Sequence, residues 1–197
     1  NSFSIQINSS RSTSDQTSLY VIGPIYNGKR EVIAVLVFHL DPVADLSKFA
    51  QLSYFGRTAE THAFDRGGRL LTESRFDSQL RKSGLLGKDQ SSALNIKLLD
   101  PGGNLLEGFK PALARSQWPF TLAVGNAIQG RSGINLDGYR DFRGVPVVGA
   151  WIWDSSLDLG LLSKIDIDEA YQGFYSTRRV VSMLFLLTVT LFLVFSA

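Results

Sequence analysis

The chain has 197 residues, with 20 Lys and Arg against 18 Asp and Glu and a formal charge of +2. Acids and bases are interspersed, so no basic face is present to support nucleic-acid binding. Cysteine is absent, which excludes a disulfide framework and thiolate zinc sites. No signal peptide and no first span are visible, and the chain opens at Asn1 within what reads as folded sequence, as a fragment of a longer protein would.

Residues 1–17 are polar and rich in Ser and Thr, and the alternation from Phe3 to Ile7 suits a short strand followed by a loop. Two β-rich runs, residues 19–26 and 31–40, flank Asn27-Gly28, the pair that most readily supplies the positive φ angles of a tight hairpin. The second run is apolar on both faces and is expected to lie centrally in a sheet covered on both sides. His39, near its end, reads as a packed residue rather than a ligand or base. Asp41-Pro42 starts a helix to about Ser53, with Asp41 as its cap and Leu46, Phe49, Ala50 and Leu52 on its apolar side.

Residues 56–65 form a turn into a strand, Arg66-Gly67-Gly68 reverses the chain, and residues 69–74 return as a second strand. Residues 76–87 read as a short helix. Residues 88–118 are rich in loops, with Asp100-Pro101-Gly102-Gly103 as a turn and 95–99 as a short strand. A helix follows over 119–128, closed by Gly130. Residues 133–136, 146–153 and 159–167 then read as an antiparallel meander that runs into a final helix. A hairpin, a long strand, then Asp and a helix occur at 19–52 and again at 133–175, the pattern that two related tandem domains would leave.

Asp166, Asp168 and Glu169 place carboxylates at the start of that helix, where they cap free amides and suit the dipole. No proline interrupts the stretch from Asp168 to the end, so one continuous helix of about 45 Å is expected. Its last part, VVSMLFLLTVTLFLVFSA from Val180, is uncharged and apolar on every face, marked by Leu184, Leu187, Leu191 and Phe195. Its hydroxyls can bond back to the helix's own carbonyls. A span needs about 20 such residues to cross roughly 30 Å of hydrocarbon, so this is read as a membrane span. The other reading, a buried core helix, would keep a polar stripe. Arg178-Arg179 beside the span run against the positive-inside tendency for an extracytoplasmic head, although that rule counts both ends.

No catalytic pattern emerges. G-x-S-x-G, H-E-x-x-H and phosphate-loop motifs are absent, and the glycines near Asp100 lack a following Lys-Ser/Thr. Glu60 and Asp65, five apart on a strand, would point to opposite faces and make a poor acid–base pair.

The stretch from Gly56 to Leu71, GRTAETHAFDRGGRLL, resembles the opening of the membrane-proximal module of bacterial tandem Cache sensors. Residues 139–151, YRDFRGVPVVGAW, resemble that module's hairpin, and residues 159–171, LGLLSKIDIDEAY, its final strand and exit helix. Ala59 and His62 depart from the usual glycine and tyrosine. The resemblance implies an α+β fold with a PAS-like antiparallel five-stranded sheet flanked by helices. It divides the chain into the end of a distal module (1–50), a proximal module (51–167), a juxtamembrane helix (168–179) and a truncated span (180–197). It also implies a non-enzymatic sensor without cofactor or metal, probing a small molecule such as an amino acid or carboxylate. Such a sensor would sit as a homodimer in the bacterial inner membrane, with residues 1–179 extracytoplasmic. Its output domain, of kinase, cyclase or chemoreceptor type, would lie beyond this chain.

In such a sheet the two hairpins share a concave face. Arg75, Tyr139, Arg140, Asp141, Arg143, Trp151 and Trp153 are the candidate ligand residues there, arginine forks gripping a carboxylate and aromatics walling it in. The same aromatics also suit a core, and the arginines suit surface charges or turn-pinning ion pairs. A membrane-anchored scaffold without signalling is the alternative function. A tethered enzyme using His39, His62 and Asp65 ranks third.

Overall fold

A computed structural model describes residues 4–8, 18–41, 47–51 and 54–195. The described residues form two antiparallel sheets. The first has the order β1–β2–β3, from β1 (Ser4–Asn8), β2 (Ser18–Tyr26) and β3 (Val32–Leu40). The β2–β3 hairpin forms as expected, but its turn is built differently. The Asn27 side chain accepts the amides of Lys29 and Glu31, and the positive φ falls on Arg30 (61°) rather than on Asn27-Gly28. An Asn side chain that mimics a turn backbone makes this possible. The expectation of a central, covered β3 is corrected. β3 is the outer strand of its sheet, and Val35, Val37, Leu36 and Phe38 are exposed on its two faces. Among the described residues, the side chains of both faces stay about half exposed. His39 is exposed and tilts against Tyr20 across the strand pair.

The next helix is described as α1 (Ser47–Gln51); its expected start at Pro42 lies outside the described residues. The second sheet has the order β4–β7–β6–β5, from β4 (Glu60–Phe64), β5 (Gly133–Arg140), β6 (Pro146–Asp154) and β7 (Leu159–Asp166). The meander is therefore present, with β5 longer than its sequence signal because a bulge at 135–139 lets the strand continue. The five-stranded expectation is corrected to four. Residues 69–74 do not form a strand: Leu71 N–H reaches Ala63 O, but Leu70 already pairs with Ile96 O and Leu94 N–H. Residues 94–99 likewise contribute bridges only. The backbone there is divided between two neighbours, so neither ladder extends.

Alternation on β4, β6 and β7 sets one face of this sheet inward. Phe64, Leu162, Trp151 and Trp153 on it meet α2 (Asp77–Lys82) through Leu80 and α3 (Leu122–Ile128) through Ala123, Val124 and Ala127. The other face carries Thr61, Ile134, Ile152 and Leu161 and is open. Among the described residues the helices therefore cover one face, not both, and a shallow cavity of about 530 Å³ lies on the open one.

The exit helix is interrupted. α4 (Ile167–Ala170) is one turn, Tyr171 leaves helical geometry (φ −103°, ψ 8°), and α5 (Gln172–Phe195) continues to the end of the described chain. The expected continuous rod gives way here because Glu169 and Tyr171 are both tied to the head. No residue of α5 is buried against the head, which the membrane-span reading expects and a core helix of this head would not show. Its hydroxyls turn inward as expected: Thr188 donates to Phe185 O and Thr190 to Leu186 O, each at 2.8 Å.

Candidate functional site

Three segments bring charge into the core. On β4, Glu60 and His62 share the phase of Phe64 and are fully buried. Directly opposite Glu60 in register stands Lys164 on β7. The β5–β6 turn adds Asp141 and Arg143, and the end of β7 adds Asp166. Lys164 Nζ lies 2.8 Å from Glu60 Oε1 and 2.7 Å from Asp141 Oδ2. Arg143 spans Asp141 Oδ2 at 2.8 Å and Asp166 Oδ1 at 2.6 Å, and it reaches Gln79 on α2 at 3.1 Å. His62 Nε2 is 2.9 Å from Glu60 Oε1. The second Glu60 oxygen accepts the Ser74 hydroxyl and the Arg75 amide. Phe76 faces the cations, with the Arg143 guanidinium 3.7 Å above its ring.

Burial by itself would push these carboxyls up. For Glu60 the opposing fields of His62 and Lys164 outweigh burial and hold its carboxyl far below the ordinary range. Lys164 and Arg143 do the same for Asp141. Asp166, only partly enclosed, is raised by desolvation that Arg143 does not fully offset. The Arg143 guanidinium is held charged more firmly than usual, because Asp141 and Asp166 outweigh the opposite effect of burial.

The network ends on the exit helix. Asp166 occupies the cap position of α4 but spends its carboxylate on Arg143, not on the helix amides. A second hold comes from the loop before β4. Glu169 Oε1 accepts the Arg57 amide at 2.8 Å, Glu169 Oε2 accepts the Thr58 hydroxyl at 2.5 Å, and Thr58 in turn accepts the Asp166 amide at 3.2 Å. Tyr171 donates to Leu136 O on β5 at 2.8 Å. Gly138, at φ +103°, leaves room for Ile167, which a Cβ would strike. Glu169→Ala is expected to free this clasp without unfolding the head. Hydrogen exchange at the Arg57 amide should accelerate by about tenfold while core amides of β6 keep their protection. Unchanged exchange at Arg57 would show that the clasp holds nothing.

The seven candidate ligand residues fall in different surroundings. Asp141 and Arg143 are in the buried network. Tyr139, Trp151 and Trp153 lie in the core: Tyr139 meets Trp151 edge-on, Trp151 donates to Arg131 O, and Arg66 lies over Trp153. Arg75 sits at the rim, donating to Ala59 O and Gly56 O, with its guanidinium 4.7 Å over the Tyr54 ring. Arg140 stands apart, in a two-pronged pair with Asp100 at 2.9 and 3.0 Å. It borders a cavity of about 260 Å³ walled by Phe109, Leu113 and Trp118. Glu60, His62, Lys164 and Asp166 belong to the network although the hairpin pattern does not single them out. Their sequence signal is charge at i and i+2 in phase with buried apolar neighbours on two strands. His62 and Asp65 do not form a pair, since Asp65 accepts the Arg69 amide at the strand's end. Among the described residues, no group of three or more His, Asp or Glu is placed to hold a metal ion.

No protein-family model matches the chain, and no curated protein matches it in sequence. Solved structures do match. The extracellular domain of the histidine kinase mmHK1S-Z3 aligns with a TM-score of 0.55 at 12% identity, over 89% of this chain and 53% of that one. The fold is shared with that extracellular domain. The periplasmic sensory domain of the Campylobacter jejuni chemoreceptor Tlp1 aligns at 0.47 and 13% identity, over 84% of this chain and 48% of that one. The periplasmic domain of RsbU from Chlamydia trachomatis aligns at 0.46 and 10% identity, over 89% and 59%. The chain thus spans about half the length of the solved structures it matches. A fold shared with that extracellular domain, followed by an apolar helix, is in line with the Cache resemblance.

Proposed function

We propose that this chain is the extracytoplasmic head and first outgoing stem of a membrane-anchored receptor. A small amino acid or carboxylate changes its head, and α4 and α5 carry the change to a cytoplasmic output domain. The observation that carries this reading is the unbroken chain of contacts from Glu60 through Lys164, Asp141 and Arg143 to Asp166, where the stem begins. A shift of β4 against β7 is thereby felt at the helix start, because a buried ion network tolerates few arrangements. A ligand can move the stem only by the difference in its affinity for the two positions.

In the same reading, residues 1–50 end a membrane-distal module and 51–167 form the proximal one. The receptor is a homodimer in the inner membrane, and the fragment has no catalytic role. The bare faces of β3 and the half-length coverage of the matched structures support the division. The test is a thermal-shift screen of amino acids and small carboxylates on the detergent-solubilised chain. A true ligand at 100 times its Kd adds about 2.7 kcal/mol and raises the melting temperature. Arg75→Ala with Arg140→Ala should remove that rise. If no compound shifts the melt, this head is not the ligand-binding part.

A further inference from the structure

We propose that the loop spanning residues 105–113 rests on the lipid surface beside the stem, so that the head is seated on the bilayer as well as tethered to it. Leu106, Phe109 and Leu113 are 41–57% exposed, with Lys110 among them. Aromatic and aliphatic side chains mixed with lysine form the composition that settles at a membrane–water interface.

Position decides the occupant. Asp100 is held by Arg140, and Leu105 N–H donates to Arg143 O at 3.0 Å, so the loop starts on the β5–β6 turn. That turn lies at the end of the sheet where Val147 pairs with Asp166 and β7 passes into α4. The loop is therefore at the end from which the stem leaves. The opposite end, the β6–β7 turn, carries Asp154, Ser155, Ser156 and Asp158 around one exposed leucine, Leu157, and has no aromatic or lysine beside it. From Gln172 to Val180 is eight residues of helix, about 12 Å of rise. The polar layer of a bilayer takes up roughly 5–8 Å of that on each side. The remaining gap is no more than the reach of a phenylalanine side chain on a loop.

The proposal rests on α5 being a membrane span, and the experiment separates the two. The chain has no cysteine, so Leu113→Cys and Ser156→Cys each take one fluorescent label. Phe109→Cys serves as a second loop position should Leu113→Cys fold poorly by circular dichroism. The labelled full chain is reconstituted into phosphatidylethanolamine–phosphatidylglycerol vesicles doped with a headgroup-spin-labelled lipid, and flotation is checked first. Failure to float with the vesicles overturns the span itself. In floated protein, the loop label should be quenched about threefold more than the label at 156. Equal quenching at both positions overturns the docking. So does a loop-label signal that follows protein concentration and not lipid, since a second copy would then be the occupant.

Discussion

Lys164→Met is expected to lower the unfolding free energy of the head by about 3–5 kcal/mol, because it leaves buried carboxylates without their shared cation. Glu60 and Asp141 both lie within 3 Å of Lys164 Nζ, and neither can reach water. Adding Glu60→Gln and Asp141→Asn to Lys164→Met should restore much of the loss, since Arg143 keeps Asp166 as its partner and no buried carboxylate is then left without a cation. The pH dependence gives an independent check. In the native chain the Glu60 and Asp141 carboxyls are held below their ordinary values of 4.5 and 3.8. Their contribution is therefore complete above those values and fades as pH falls through the lower, folded-state values. In Lys164→Met the stranded carboxyls shift upward, and protonation relieves the variant. The gap between the two denaturation midpoints should be widest near pH 7 and narrow as pH approaches 4. A gap that stays constant with pH would mean that Lys164 acts by packing alone.

Gly144→Ala should cost about 3 kcal/mol. A left-handed backbone costs an alanine about 1–2 kcal/mol, and overpacking typically adds 1–3. Gly144 sits at φ +79°, and a Cβ there would run into the carbonyl of Gly103. The neighbour cannot swing aside, because it is backbone and because Leu105 is bonded to Arg143 O just beyond it. Gly130, at φ +74° with open space around it, isolates the conformational part. Gly130→Ala should therefore cost about 1–2 kcal/mol. Urea midpoints of the two variants test this, and equal costs would show that the 100–105 segment is not packed against the hairpin turn. The position matters for function, since the same contact carries the loop proposed to meet the lipid.

Much of the architecture is legible from local pattern. The apolar run from Val180 is enough by itself to mark a stem, because a helix without a polar stripe has no soluble face to offer. The β2–β3 hairpin, the β5–β6–β7 meander and α3 with its Gly130 stop are equally readable, each being set by periodicity and turn chemistry within a few residues. The resemblance at 56–71, 139–151 and 159–171 leads to a fold shared with the extracellular domain that aligns over 89% of this chain. Where local pattern misleads, the cause is a distant partner. Residues 69–74 look like a strand, but their backbone is claimed by Ile96 and Leu94 as well as by Ala63. β3 looks like a central strand, and its place in the sheet depends on segments that its own alternation cannot name.

The core charges are decided by tertiary structure alone. Arg143 and Asp141 read either as residues that grip a carboxylate or as a turn-pinning ion pair, and local pattern does not choose between the two. Register puts Lys164 opposite Glu60, and the fold then brings the Asp141–Arg143 turn alongside them. Composition determines that this chain can fold and can anchor in lipid. Only the cross-strand pairing determines that its buried cations and carboxylates neutralise one another, because a charge's cost depends on what lies within a few ångströms and not on its neighbours in sequence.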